Sequence, residues 1–363
     1  MKGKRTRAKL LLFWIFACSC AWSEPDRGTR EPLEPMADTA LSEAVPGHEF
    51  SGVILVAVNG RPRLRKAYGY ADWPNHVPNQ PSSRFMIFSS TKQFTAAAVL
   101  RLADRRKLNV QDPVSRYVDH WPEAWNSARL HHLLTHTSGI EIDTLAFWLF
   151  RYYPRFWPEP GEAPPPYEPK PLLSDPGSTF KYCNAGYTVL SLVVEKASGK
   201  PFAGAMKELV FGPLKMNDTG LEGTTDLPAR VRGHNFPSEE YLEQKTIDVV
   251  GAGDIVTTVE DLLKWDEALY GKAFLSANAL LAMFTPHIKG EMGEYGYGWI
   301  VEKTADGNLR YLHNGNGSGF RSYVFRRPDL HLYVAVLANR EYPALLPQMR
   351  ALEQKVEEVM LPK

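Results

Sequence analysis

Ser89 and Lys92 stand three residues apart in Ser89-Ser90-Thr91-Lys92, at the start of the most regular helical pattern in the chain. Residues at that spacing share a helix face, roughly 5–6 Å apart at Cβ. A serine hydroxyl is a weak nucleophile and needs a base beside it. Lysine can be that base only if it gives up its proton near neutral pH. Its ordinary pKa of about 10.4 must fall to about 7, which takes roughly 4–5 kcal/mol of differential destabilisation of the charge. Such a lysine has to sit in a cleft, not on a solvated face. The chemistry open to the pair is nucleophilic attack by an activated serine.

Alone, the motif says little. A second Ser-x-x-Lys occurs at Ser178-Thr179-Phe180-Lys181, after Pro176-Gly177, and opens no periodic helix. Ser89 also fits a place just before a helix cap, with Ser90 and Gln93 as a capping box. The two readings can coexist, because a helix N-terminus favours negative charge developing beside it. Taken singly, Tyr182 reads as a half-buried tyrosine, His313 as a strand-edge histidine and Cys183 as a small core residue. Other constellations fit worse. His132 and His136 are four apart, as in zinc helices, but Leu133-Leu134-Thr135 supplies no glutamate base and no third ligand is evident. No Gly-x-Ser-x-Gly elbow occurs, which argues against an α/β-hydrolase fold. Neither a metal nor a cofactor is expected.

The elements that must position these residues follow from periodicity. Phe94, Ala98, Val99 and Leu102 predict a helix over Lys92–Lys107. Gly52–Val58, Asn59-Gly60 and a second run through Leu64 and Tyr68 predict a β-hairpin. Tyr187–Lys196 and Glu260–Tyr270 read as helices. Strand signals return at Tyr295–Glu302, Leu309–Leu312, Arg321–Arg326 and His331–Leu337, with a turn at Pro328-Asp329. Lys303-Thr304-Ala305 leads into Asp306-Gly307 as a hairpin approach, and a last helix is expected over Ala344–Met360. Strands open the chain, helices fill its middle, and strands plus a helix close it. The simplest packing is α+β: one antiparallel sheet flanked by helices, with a helical subdomain of about residues 89–290 inserted into it. From Ile140 to Asp175 the chain is aromatic and Pro-rich (Phe147, Trp148, Phe150, Tyr152, Tyr153, Phe156, Trp157, then Pro158, Pro160 and Pro164-Pro165-Pro166). That composition reads as an ordered flap, stapled to the core, forming a wall of a substrate cleft, or contacting a membrane.

The chain has 363 residues, 44% hydrophobic, with formal net charge +1. That allows one large domain or two closely joined ones, and nothing calls for nucleic acid. Lys2, Lys4, Arg5, Arg7 and Lys9 precede an apolar run from Leu10 to Ala17, and the small residues Ser19, Ala21 and Ser23 follow. This is a secretory signal pattern over residues 1–23. Its apolar run is too short to span a bilayer comfortably, so no transmembrane domain is expected in the mature chain. A lipid anchor at Cys18 or Cys20 matches less well. Residues 24–44 read as a tether or first helix, and 45–361 as the main domain. The mature chain keeps one cysteine, Cys183, so no internal disulfide is expected despite export to the periplasm or beyond.

Read together, the motifs resemble one family. Phe88-Ser89-Ser90-Thr91-Lys92-Gln93-Phe94-Thr95-Ala96 is similar to the nucleophile motif of the class C β-lactamase-like, penicillin-recognising serine hydrolases. Leu133-Leu134-Thr135-His136-Thr137-Ser138-Gly139 resembles their next landmark. Pro176-Gly177 with Tyr182-Cys183-Asn184 resembles their Tyr-x-Asn element, and His313-Asn314-Gly315, with Gly319-Phe320 after it, their Lys/His-x-Gly strand. Gly296-Tyr297-Gly298-Trp299 fits as well. The order agrees, and the likeness runs from about Gly52 to Arg340. The resemblance implies a β-lactamase/transpeptidase-like fold with its active site between sheet and helical subdomain. It implies that Ser89 forms an acyl-enzyme, that Lys92 and Tyr182 share the proton transfers, and that Asn184 orients Lys92 or a substrate amide. His313 and Gly315 would line the site, with His313 in contact with substrate or leaving group. The backbone N–H groups of Ser89 and Asn316 would form the oxyanion hole. Which of Lys92 and Tyr182 is the base stays open. Histidine in the third motif, where true class C β-lactamases carry lysine, shifts the expectation toward a peptidase or amidase on D-amino-acid or cell-wall-type substrates, then an esterase on small acyl esters. A true β-lactamase, or a silent binding or scaffold protein, is the remaining reading. The expected partner is a small-molecule or peptide substrate; oligomeric state is not legible.

Overall fold

The computed structural model describes residues 33–44, 50–157, 159, 161–164, 166–223, 230–235, 238, 240–242, 249–342 and 345–360. The expected signal segment, with Cys18 and Cys20, lies outside these residues.

In chain order the helices are α1 (Leu33–Ala44), α2 (Lys92–Asp104), α3 (Leu130–Leu134), α4 (Ile142–Tyr152), α5 (Asn184–Ser198), α6 (Phe202–Met206), α7 (Val259–Ala268), α8 (Ala277–Phe284) and α9 (Leu345–Met360). The first strands are β1 (Gly52–Val58), β2 (Arg61–Tyr68), β3 (Tyr70–Asp72), β4 (Val77–Pro78), β5 (Phe85–Met86), β6 (Gly220–Leu221) and β7 (Ile255–Thr257). The later ones are β8 (Ile288–Gly290), β9 (Gly293–Tyr295), β10 (Ile300–Lys303), β11 (Leu309–Gly317), β12 (Phe320–Arg327) and β13 (Leu332–Ala338).

The β1–β2 hairpin turns on Asn59 and Gly60, with φ of 52° and 68°. Positive φ at both central residues is what the tight two-residue turn requires. β1 then pairs antiparallel with β13 from Gly52↔Ala338 to Val58↔Leu332, so the two ends of the chain meet in mid-sheet. The sheet order is β2-β1-β13-β12-β11-β10-β9-β8.

All seven β1 residues are buried, because the sheet is covered on both faces. Ile54, Val56 and Val58 face one apolar cluster with Val334, Val336 and residues of α1 and α9. Val53, Leu55 and Ala57 face the other, with Leu337 and the buried residues of α2, α5 and α7. A strand packed on both faces reads as a continuous apolar run, as β1 does. The elements between β5 and β8 supply the helical side.

Some expected boundaries shift. The run Tyr295–Glu302 is two strands, broken where the Gly296 N–H donates to the Trp299 carbonyl and Gly298 takes φ of 75°. The run expected at Leu309–Leu312 continues as β11 to Gly317, which puts His313, Gly315 and Asn316 on a strand. α2 stops at Asp104, and Arg106 has φ of 57°. The aromatic segment is ordered around α4. Trp148 packs edge-on against Trp121 at 5.1 Å and donates to the His120 carbonyl, while Trp125 donates to the Lys170 carbonyl. These contacts staple it to the core. No helix among the described residues is long and apolar enough to cross a membrane.

Candidate active site

The chain enters the site from β5, which pairs with β7. The Ile87 N–H donates to the Ile255 carbonyl, and Phe88–Thr91 then form one 3-10 turn ahead of α2. The expected Ser90–Gln93 capping box is absent: α2 has no side-chain cap. Those side chains tie the turn to its surroundings instead. Ser90 Oγ lies 2.9 Å from Ser322 Oγ, which donates to the Ile87 carbonyl, and Gln93 accepts from the Trp265 indole. Thr91 Oγ1 accepts the Ile255 N–H, and Thr95 donates to the Gly251 carbonyl. β11 lies against the turn so closely that a Cβ at Gly315 would sit 2.0 Å from the Ile87 oxygen. Gly315 therefore brings the Ser89 turn and the strand edge together.

Ser89 is half-buried, and Lys92 is fully buried beside it with Nζ 3.1 Å from Ser89 Oγ. Nζ also donates to Asn184 Oδ1 at 2.8 Å and to the Ala252 carbonyl at 2.9 Å. An ammonium has three N–H donors and no lone pair. Two of its protons are held by carbonyl oxygens, so the third contact, with Ser89, is the one that reverses when the amine is neutral. Burial drives the Lys92 pKa down to about 7, against the opposing pull of Cys183 and Asp254. Burial also raises the Asp254 carboxyl to about 7, opposed by hydrogen bonds such as that from the Gly251 N–H. Lys92 and Asp254 sense each other, so their titration belongs to the pair.

The Tyr182 ring centroid lies 4.8 Å from Lys92 Nζ. Its hydroxyl is buried and lies beside Ser89 without a hydrogen bond of ordinary geometry. Burial raises its pKa above the usual 10, which keeps it protonated at neutral pH. His136 holds this segment. Its carbonyl accepts the Lys181 N–H, its Nδ1 accepts the Cys183 N–H, and its ring lies 4.4 Å from that of Tyr182.

His313 lies on β11 beside the site. It is fully buried, with Nδ1 2.7 Å from the Asn314 carbonyl and Nε2 3.1 Å from Tyr295 Oη. Burial, with Lys92 nearby, pushes its pKa down to about 3, so it is neutral. Both ring nitrogens are thus engaged within the protein. Asn316 is exposed on the same strand, past the last residue, Leu312, that pairs with β10. Ser89, Lys92, Tyr182 and Asn184 thus converge, with Gly315 and Asn316 at the adjoining strand edge. The second Ser-x-x-Lys does not join them: Ser178 Oγ donates to the Asp175 carbonyl and Lys181 is exposed.

Sequence reasoning missed the Ala252 carbonyl, Asp254, Ser322 and the clamp at His136. Gly251-Ala252-Gly253 was a visible signal of close backbone approach. Nothing in the residue types pointed to Ser322.

Residues 37–357 match the Beta-lactamase family. Penicillin-binding protein 4* of Bacillus subtilis is 27% identical over 315 residues, 81% of this chain and 69% of that protein. A putative penicillin-binding protein, PbpX, of the same organism is 30% identical over 256 residues, 69% of this chain and 62% of its own length. The chain thus spans about two thirds of the curated relatives it matches. The crystal structure of a penicillin-binding protein from Bacillus halodurans superposes with a TM-score of 0.72 at 26% identity, covering 89% of this chain and 98% of that one. The structure of the octameric penicillin-binding protein homologue from Pyrococcus abyssi gives the same score and identity over 90% of this chain and 77% of that one. With an antiparallel sheet covered by helices, a buried lysine beside Ser89, and a family match across nearly all the described residues, the chain belongs to the Beta-lactamase family and is a serine hydrolase related to the penicillin-binding proteins.

Proposed function

We propose that Ser89 is the nucleophile of an acyl-enzyme peptidase or amidase acting on D-amino-acid or cell-wall-type substrates. The observation that carries the chemistry is the buried Lys92, 3.1 Å from Ser89 Oγ with its pKa lowered to about 7. Near neutral pH about half of such a lysine is an amine, and its lone pair accepts the Ser89 proton as Oγ attacks the carbonyl carbon. Tyr182, protonated and adjacent, relays that proton toward the leaving group. The N–H groups of Ser89 and Asn316 receive the developing oxyanion; one such donor is worth about 3–4 kcal/mol in the transition state. Asn184 Oδ1 keeps Lys92 aimed. The relatives named penicillin-binding proteins support the substrate class. Neutral His313 supplies no cation on the strand to hold a β-lactam carboxylate, which speaks against efficient β-lactamase action. We further propose export, on the basic and apolar pattern of residues 1–23.

The test is intact mass after brief exposure to a penicillin, with Ser89→Ala beside the wild type. A penicilloyl adduct confined to the wild type is expected. An adduct on Ser89→Ala would refute the nucleophile assignment. Cleavage of a short nitrophenyl ester without any penicilloyl adduct would favour the second reading, an esterase, to which the half-buried Phe88 next to Ser89 lends support.

A further inference from the structure

Phe88, immediately before Ser89, has φ of 44°. Bulky residues rarely take positive φ, and such outliers gather at functional sites. Here the conformation throws the ring to one side of the nucleophile. A Cβ at Gly317 would meet the Phe88 ring at 1.9 Å, so the ring abuts the strand one residue beyond Asn316. Phe320 backs it at 6.3 Å between centroids. Phe320 is itself fixed, buried between Gly233, where a Cβ would meet its ring at 2.5 Å, and the Arg230 guanidinium, 5.4 Å from the ring. The Phe88 ring stays half-buried.

Lys92 and Tyr182 fix the polarity of the cleft. The leaving group must depart toward the groups that protonate it, and the Tyr182 ring is 6.5 Å from His313. The acyl part then runs the other way along β11, from Asn316 toward Gly317, where the Phe88 ring stands. We infer that Phe88, braced by Phe320, is a specificity-determining residue that bounds the acyl side of the cleft at Gly317 and selects against long straight acyl chains. The inference rests on the reading of Ser89 as nucleophile.

The experiment compares kcat/KM for p-nitrophenyl acetate, butyrate and octanoate in wild type, Phe88→Gly, Phe88→Asn and Phe320→Ala, with Ser89→Ala as control. Glycine and asparagine both accept positive φ, so the turn is kept while the ring is removed. The octanoate-to-acetate ratio should rise about 10–100-fold in Phe88→Gly, in line with the discrimination a few methylenes give in a closed pocket. Phe88→Asn and Phe320→Ala should shift it the same way by less, with acetate turnover within about threefold of wild type. An unchanged ratio with acetate turnover intact overturns the inference. So does loss of acetate turnover in both folded Phe88 variants, since the ring would then serve chemistry rather than size. Persistent turnover in Ser89→Ala sinks the nucleophile reading instead, whatever the ratio does.

Discussion

Asn184→Asp changes one atom type at the point that holds Lys92. Asn184 Oδ1 lies 2.8 Å from Nζ. At an effective dielectric constant of 20, a full charge at that distance gives about 6 kcal/mol of attraction. That is an upper bound, because Asn184 is exposed and water screens the new carboxylate. A neighbouring opposite charge typically moves a pKa by about 1–3 units, and the sign is upward for a lysine. Lys92 should therefore move from about 7 into the range of about 8–10. At pH 7 the amine fraction falls from about half to between a tenth and a thousandth, and acylation slows about 5–500-fold. Rapid-mixing measurement of acyl-enzyme formation from pH 5 to 10 reads this directly. The acid limb of the profile should shift upward, and the rate should recover as pH rises through the new pKa. If the limb stays in place while the plateau drops, Asn184 serves the substrate and not Lys92, and the argument is refuted. A downward shift would refute it equally.

Tyr182→Phe removes the proposed relay and keeps the ring over Lys92; acylation should fall about 10²–10⁴-fold with KM nearly unchanged, read by burst kinetics. Gly315→Ala places a Cβ 2.0 Å from the Ile87 oxygen, so urea unfolding should show a loss of about 3 kcal/mol together with lost turnover. Gly199→Ala, with nothing within 4 Å of its added carbon, should cost only about 1 kcal/mol, from its positive φ. Lys92→Met should stabilise the fold where turnover is abolished. The folded pKa of about 7 lies below the ordinary 10.5, so the unfolded chain binds a proton that the folded one releases. The burial cost is full below pH 7, up to about 5 kcal/mol less the lost hydrogen bonds, and vanishes above the unfolded pKa. Melting curves should show the Lys92→Met gain largest below pH 7 and fading from there to about 10.5.

The periodic elements were legible because periodicity reports burial. β1 is apolar throughout since both its faces are covered, and Asn59-Gly60 names its own turn. Ser89, Lys92, Tyr182 and Asn184 were legible as a set because each belongs to a motif in a fixed order. What stayed hidden depends on contacts between distant segments. Nothing around Ser322 announces a bond to Ile87, 235 positions away. The inward turn of His313 is set by Tyr295, whose place depends on the break at Gly296–Trp299 that alternation could not reveal. The failed capping box shows the same limit: Ser90 and Gln93 have the right types and spacing, but the tertiary partners Ser322 and Trp265 claim them.

The pairing of β1 with β13 also governs how the molecule can be made. β1 is synthesised early, yet one of its two neighbours comes from residues 332–338. Until that strand is available, the apolar run of β1 lacks a flank, and β12, whose Ser322 hydroxyl donates to the Ile87 carbonyl, lacks its β13 partner. Non-local pairing of this kind is slow to form, because a large loop must close first. The Ser89 turn, held through Ser322 on β12, therefore rests on a sheet that closes only when β13 pairs with both β1 and β12. A chain cut before β13 carries an open apolar edge on β1 that invites pairing with other chains.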